Sequence, residues 1–563
     1  MKFISLKSTF IFVVLLILSQ TVFSQSTAPN LNRTSNFDVQ HYIVRVSFDP
    51  VGGRVFGDTT VRFKPSVANF SQLELDAVGL NFESVKLEPE NNDLQFRTAN
   101  DKVYVTLNKS YTPDNMVSVR FKYTATPKKG VYFVKEQKVD EKVVHSAQIW
   151  TQGEAEEARH WIPSYDFPND KATSEEIVTV PKGEIVIGNG ELVERKENAD
   201  NTATFHFKMN VPHSLYLLSL IIGKYEKITD KYKEIPLAYY LYPGKEEMAQ
   251  KAFGGTKDMM RVYEELTGIA YPYNKYDQTI VGSFNFGGME NITATTMADT
   301  EIFFADINPR IVGDLVSHEL AHSWFGNLVT CKNWAELWLN ESFATYMEAA
   351  FREKMYGRED YLWKVTADAQ AFITYQARSG KQHGLYNLTA GNAETLFDTS
   401  PITYNKGGAV LHTLRETIGE KAFWKGVNLY LTRHKFQNVE TTDLQKAMEE
   451  ASGKSLDWFF KQWVYATGHP KIEVKQVYNA KSKTLKLTVT QTQKTDGLTP
   501  GVFILPLDVE VKTGGESKSE KYELKKRTEV FSIKLKGKPT EINIDKAVKI
   551  PLAVIKTGEL KVD

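Results

Sequence analysis

The sequence predicts a multidomain α+β protein, and three observations carry that reading. Its 563 residues exceed one core's worth at roughly 150 residues per domain. Apolar and polar residues alternate with the period of strands near both ends of the chain. Between them, from about 245 to 467, the apolar period lengthens to that of helices. The composition is that of a folded chain, with 42% hydrophobic and 12% aromatic residues and no low-complexity tract, which excludes extensive disorder. Lys+Arg and Asp+Glu both number 69, so a basic nucleic-acid coat and a long acidic tail are excluded, and no nucleic-acid partner is expected.

The chain opens with MKFISLKSTFIFVVLLILSQTVFS. Lys2 and Lys7 form a basic start, Phe10 to Leu18 an apolar run, and Val22 and Ser24 precede Gln25 at the spacing of a cleavage site. This predicts a secretory signal peptide over 1–24. The apolar run is shorter than the ~20 residues of a membrane span, and no later segment predicts one. The mature chain is expected to be exported, with no transmembrane span once the signal is cleaved. One cysteine, Cys331, allows no internal disulfide, and a chain of this length can bury enough core without one. Asn-x-Ser/Thr sequons stand at Asn32, Asn291, Asn340 and Asn387. Asn291 and Asn340 fall inside the motifs described below, where a glycan fits poorly, so a bacterial periplasm or extracellular location is expected.

The mature chain is read as three domains. A β domain covers 25–230: Tyr42, Val44, Val46 and Phe48 alternate with polar residues, as do Val103, Val105 and Leu107, then Val117, Val119, Phe121 and Tyr123. An α-rich domain covers 231–467, with helices predicted over 246–266, 309–325, 334–356, 408–418, 421–434 and 442–452. Asp306 or Asn308 can cap the second of these, Pro309 suits its first turn, and Gly326-Asn327 ends it. A small β-sandwich covers 468–563, marked by Leu485, Leu487 and Val489, by Leu507, Val509 and Val511, and by Ile542 and Ile544.

The chemistry lies in the second of those helices, in His318-Glu319-Leu320-Ala321-His322. Residues four apart share a helix face, so the two imidazoles can converge on one metal ion. Glu319 is turned about 100° away and reaches a water rather than the metal. A catalytic zinc site takes three protein ligands. Glu341 is the candidate third ligand, because its neighbours Trp338, Leu339, Phe343 and Ala344 are apolar and a buried carboxylate needs a partner. His318, His322 and Glu341 would thus hold one Zn2+ per chain, with Glu319 as general base.

The stretch HELAHSWFGNLVTCKNWAELWLNESFATYMEAAF closely resembles the zinc signature of the gluzincin aminopeptidases, the family of aminopeptidase N and leukotriene hydrolase. Three more segments are similar to that family: Gly287-Gly288-Met289-Glu290-Asn291, Thr151-Gln152-Gly153-Glu154-Ala155 and Tyr404-Asn405-Lys406-Gly407-Gly408. Taken alone, Glu290 could be a turn residue, Glu154 an exposed helix end, Tyr404 a core residue and Lys406 a surface lysine without chemistry. The resemblance implies a thermolysin-like catalytic domain. It implies that Glu290 and Glu154, with Gln152, Gly287, Gly288 and Met289 around them, bind the free amino terminus and first residue of a peptide. It implies that Tyr404 stabilises the oxyanion. The chain departs from the family at Ser342, where glycine is usual, and in length: it matches a short form without the long C-terminal helical domain. That departure predicts an open cleft with loose selection beyond the first residue or two. A thermolysin-like endopeptidase and, less favoured, a zinc-stabilised peptide-binding protein are the alternatives to a zinc aminopeptidase.

Overall fold

The computed structural model describes residue 31 and residues 33–563, so the predicted signal peptide and the Asn32 sequon lie outside the described residues. The first region is built of sheet. Eight strands lie in the order Glu191–Glu197, Thr202–Ser214, Lys171–Pro181, Phe37–Asp49, Arg54–Pro65, Val117–Ala125, Leu80–Glu88 and Asn92–Asp93. All neighbours are antiparallel except Phe37–Asp49 with Lys171–Pro181. The alternation read from the sequence is a burial alternation: Tyr42, Val44 and Val46 are in the core, as are Val103, Val105 and Leu107. A smaller sheet orders Ile185–Ile187, Ile221–Gly223, Gln148–Thr151 and Val131–Val134. Its strand Gln148–Thr151 delivers Gln152 and Glu154 to the next region. Two hydrogen bonds lock that approach, Trp150 Nε1 to the Gly282 carbonyl at 3.1 Å and Asn189 Nδ2 to the Ile292 carbonyl at 2.6 Å.

The middle region opens with a five-stranded sheet ordered Glu226–Tyr232, Ile235–Leu241, Tyr276–Val281, Ala294–Ala298 and Gly288–Met289. It begins at Glu226, ahead of 231, because Glu226–Tyr232 pairs along its length with Ile235–Leu241. Alternation alone does not show which sheet a strand joins. Gly288–Met289 is an edge strand, antiparallel to Ala294–Ala298. The Ala298 N–H donates to the Gly287 carbonyl, and the next pair, Gly288 with Met297, is of the non-hydrogen-bonded type. The amide groups of Gly288 therefore face the free edge.

The helices follow the predicted pattern with instructive differences. The segment predicted over 246–266 is two helices, Met248–Phe253 and Thr256–Thr267, broken at Gly254-Gly255. The HExxH helix is Pro309–Ala321, capped by the Asn308 side chain, which accepts from the Ile311 N–H. The helix carrying Glu341 is Trp338–Tyr356, preceded by a separate short turn at Trp334–Glu336 and ended by Gly357. Gly407–Ile418, Glu420–Arg433 and Thr441–Ser452 lie close to their predicted ranges. Arg358–Ser379, a 22-residue helix, was not predicted. Its buried face is Tyr361, Lys364, Val365, Asp368, Ala369 and Phe372, so two charges interrupt the apolar stripe that would announce it.

The last region has two sheets, one of four strands and one of three. Leu485, Leu487 and Val489 of the first and Leu507, Val509 and Val511 of the second are buried, as in the two layers of a sandwich. It joins the middle region through Gln462, whose amide exchanges two 2.9 Å hydrogen bonds with the Ile504 backbone. Among the described residues no helix is long and apolar enough to cross a membrane.

The segment that follows the HExxH helix and the helix carrying Glu341 are clamped together by aromatic packing. Phe325 and Phe343 stack with centroids 4.4 Å apart and planes 3° from parallel. Trp324 and Trp338 anchor the helices to their surroundings through the Ile269 carbonyl and the Thr441 hydroxyl. Phe343→Ala opens a cavity in this clamp and is expected to cost about 3–5 kcal/mol. Scanning calorimetry should show a lower unfolding temperature; an unchanged one would mean that the stack does not hold the helices.

Candidate active site

The backbone between the two helices doubles back within a short loop. Gly326 adopts φ +130, and a Cβ there would stand 3.0 Å from His322 Nδ1. Thr330–Cys331 then pairs with Asn438–Val439, and the Cys331 N–H donates to Asn340 Oδ1 at 3.1 Å, which sets the start of the second helix. This return brings Glu341 onto the HExxH face. His318 Nε2 and His322 Nε2 each lie 3.3 Å from the same Glu341 oxygen, Oε2. All three residues are buried.

The donor set calls for a cation. His318 Nδ1 lies 2.8 Å from Glu348 Oε1, and His322 Nδ1 lies 2.8 Å from the Phe325 carbonyl. Both partners are acceptors, so each Nδ1 carries the hydrogen and each neutral ring turns a lone pair on Nε2 toward Glu341. With neutral rings, three acceptors face one another with no donor between them. Bonds of about 2.0 Å in a tetrahedral metal site put neighbouring donor atoms about 3.3 Å apart, which matches the observed spacing. Without an ion, the same carboxylates draw protons onto the rings instead. Burial pushes both imidazoles down, but the carboxylates around them outweigh it, raising His318 to about 9 and His322 well above its usual value. Burial pushes Glu341 up, yet the two imidazoles hold it at about 2. The residues fit a divalent metal ion.

Glu348 lies seven residues, two helical turns, past Glu341 on the same face and was not picked out from the sequence. Lys364 Nζ holds its other oxygen at 2.8 Å and also bonds both oxygens of Asp368, which accepts from Asn405 Nδ2. The charges inside the unpredicted helix therefore support the His318 ring through Glu348. The spacing of Glu341 to Glu348, and of Lys364 to Asp368, was the available signal.

Glu319 is buried beside the cluster, and burial pushes it up to about 8. Gly288 makes its place: a Cβ there would stand 2.1 Å from Glu319 Oε1. Glu290 and Glu154 lie on the other side. One carboxylate oxygen from each of Glu154, Glu290 and Glu341 falls within 4.8 Å of the others. Burial pushes both Glu154 and Glu290 up, and Glu290 adds to the effect on Glu154. Glu154 Oε1 and Gln152 Oε1 are buried and accept no hydrogen bond among the described residues. Gln152 Nε2 reaches the Glu154 carbonyl and Met289 Sδ. The Tyr216 hydroxyl donates to Glu290 Oε1 at 3.3 Å and accepts from Asn340 Nδ2 at 3.3 Å. Tyr216 was also missed, since a lone tyrosine outside any motif carries no sequence signal.

Tyr404 stands on a π-helical turn, Ile402–Lys406, a shape enriched at functional sites and invisible to periodicity. Its ring lies parallel to that of His318, centroids 5.8 Å apart. Ser342, the departure noted above, donates its hydroxyl to the Thr403 carbonyl at 2.6 Å, and Gly407 leaves the space for it. Lys406 is not a surface lysine: it is wholly buried, its ammonium against the Ala466 carbonyl, and burial pushes it down to about 7. Ten of the eleven residues singled out from the sequence thus line one cleft, a cavity of about 570 Å³, and Gly287 adjoins it through Gly288.

Residues 251–463 match the model of the peptidase family M1 domain, and residues 38–217 that of the peptidase M1 N-terminal domain. A relative described as probable aminopeptidase 2, from Sulfurisphaera tokodaii, is 29% identical over 483 residues, 84% of this chain and 59% of its own. Aminopeptidase N of Streptomyces lividans is 35% identical over 342 residues, 58% of this chain and 39% of its own. Glutamyl aminopeptidase of Bos taurus is 30% identical over 343 residues, 59% and 36% of the two chains. The matched chain spans between about two fifths and three fifths of these relatives' length.

Glu348→Gln keeps the shape of the support but weakens its hold on the His318 N–H. Metal affinity, read by competition with a chelator, is expected to fall about 10–100-fold. Unaltered affinity would remove Glu348 from the metal support.

Proposed function

The chain belongs to peptidase family M1, and from that membership we propose that it is a zinc aminopeptidase, removing the first residue from peptides with a free amino terminus. The observation that carries this reading is the pair of buried carboxylates, Glu154 and Glu290, beside the metal-binding cluster. Glu154 Oε1 and Gln152 Oε1 are acceptors that lack a donor among the described residues, in a place where burial makes an uncompensated charge costly. A peptide's α-ammonium supplies three N–H donors and a positive charge. A mid-chain amide supplies neither, which weighs against an endopeptidase.

The two imidazoles and the carboxylate suit zinc among divalent ions. Zinc held by His318, His322 and Glu341 supplies a Lewis acid that makes water acidic enough to attack near neutral pH. Gly288 presents its free N–H and C=O to an extended peptide, as an added strand would meet them. Glu154, Glu290 and Gln152 fix the amine and so set the first peptide bond opposite Glu319. Glu319 takes the proton of the attacking water on its carboxylate and passes it to the departing nitrogen. The Tyr404 hydroxyl donates to the oxygen that gains negative charge. Met289 and Gln152 wall the first side chain.

We also place the mature protein outside the cytoplasm, in a bacterial periplasm or beyond the cell. The basic-then-apolar start of the sequence supports this. So does the burial of Asn291, Asn340 and Asn387, whose side chains offer no room for a glycan.

A peptide and its N-acetylated form distinguish the exopeptidase from the endopeptidase. The free peptide should be cleaved and the acetylated one spared by at least about 100-fold, while Glu319→Gln retains metal and loses about 1000-fold or more in kcat. Equal cleavage of the two peptides would refute the amine clamp. Amino-terminal sequencing of protein recovered from outside the cytoplasm should begin at Gln25; recovery only from cytosol, beginning at Met1, would contradict export.

A further inference from the structure

Glu154 and Glu290 come from different regions of the chain, so the gap between them depends on how those regions are held. One lysine stands at the head of both arms. Lys171 opens the strand Lys171–Pro181 of the first region and is half-buried. Its ammonium crosses into the middle region, donating to the Asn327 carbonyl at 3.0 Å with the Leu328 carbonyl 3.5 Å away. Both carbonyls belong to the loop that returns the chain from His322 to Glu341. Asn327 carries the link onward: its Nδ2 donates to the Glu290 carbonyl at 2.9 Å, and its N–H to the His322 carbonyl. The other arm leaves from the same residue. Lys171 is paired with Ser214, which leads into the turn Leu215–Leu217. The Tyr216 carbonyl there lies against Gly153, where a Cβ would stand 2.2 Å from its oxygen, so glycine is required next to Glu154. The Tyr216 hydroxyl closes the figure on Glu290 Oε1.

We propose that Lys171 is a positioning residue for the amine clamp: by fixing the return loop against the first region, it sets the gap between Glu154 and Glu290 to the width of one ammonium group. The inference rests on the aminopeptidase reading and adds to it a residue that touches neither metal nor substrate. The width fits. Two hydrogen bonds of about 2.8 Å leaving one tetrahedral nitrogen end about 4.6 Å apart. One oxygen of Glu154 and one of Glu290 lie within 4.8 Å of each other. The choice of lysine fits as well. Among the described residues no carboxylate pairs with Lys171, and burial of its ammonium pushes it down to about 7. A cation placed so is costly, and a neutral chain of the same length would fill the space. Only the ammonium brings three donors, enough to hold two carbonyls at once, with a charge that strengthens both contacts.

The test is KM, kcat and metal content with alanine p-nitroanilide for the unaltered protein, Lys171→Met, Lys171→Arg, Asn327→Leu and the double variant Lys171→Met with Asn327→Leu. Lys171→Met is expected to raise KM about tenfold while kcat falls less than about threefold and metal content holds. Lys171→Arg, which keeps the charge, should recover most of that loss. Asn327→Leu should raise KM to a similar degree, and the double variant no further, since both substitutions cut one link. Should Lys171→Met fail to fold, Lys171→Gln, neutral but polar, takes its place with the same expectation. A merely structural lysine would lower kcat or metal content and leave KM alone. That result, or KM effects that multiply in the double variant, would overturn the positioning role and leave the aminopeptidase standing. No hydrolysis by the unaltered protein of this substrate or of any free peptide would overturn the aminopeptidase reading and the role of Lys171 with it.

Discussion

Three acceptor atoms, the Nε2 nitrogens of two neutral imidazoles and one carboxylate oxygen, meet in a buried cluster. Such a meeting is repulsive unless a cation joins it, and much of the middle region serves to hold it in place. The Phe325–Phe343 stack presses the two helices together. Glu348 and the Phe325 carbonyl fix the ring tautomers. Lys364 and Asp368 support Glu348 in turn. A binding site for positive charge is thus stored in the fold before any ligand arrives.

The same constraint repeats a few ångströms away with a different cation. Glu154 and Glu290 are carried by separate regions of the chain, one at the end of a strand from the first region and one beside the edge strand of the middle sheet. Burial pushes both carboxyls up, with Glu290 adding to the effect on Glu154 and Glu341 to that on Glu290. An ammonium group relieves that strain, and its position measures off one residue from the metal cluster. In the proposed aminopeptidase, chemistry and length of cut are set by two neighbouring charge deficits, one met by a metal ion and the other by the substrate.

Much of this could be read from the chain. His318, Glu319 and His322 announce themselves by spacing, and Glu341 by its apolar flanks. Strand alternation marked both β regions, because each sheet has one buried face. The resemblance brought in Glu290, Glu154 and Tyr404, whose local patterns alone are ordinary. What stayed hidden has physical reasons. The helix Arg358–Ser379 buries Lys364 and Asp368 where a core helix would carry apolar residues, so its stripe is broken. Tyr404 stands on a π turn that has no sequence period. Lys406 looks like a surface residue and is buried.

X-ray absorption at the zinc edge of the purified protein tests the centre most directly. One zinc per chain is expected, with only nitrogen and oxygen neighbours at about 2.0–2.1 Å, two of them imidazole, and with loss of one oxygen neighbour in Glu341→Ala. A spectrum with sulfur at about 2.3 Å, or one unchanged by that substitution, would contradict it.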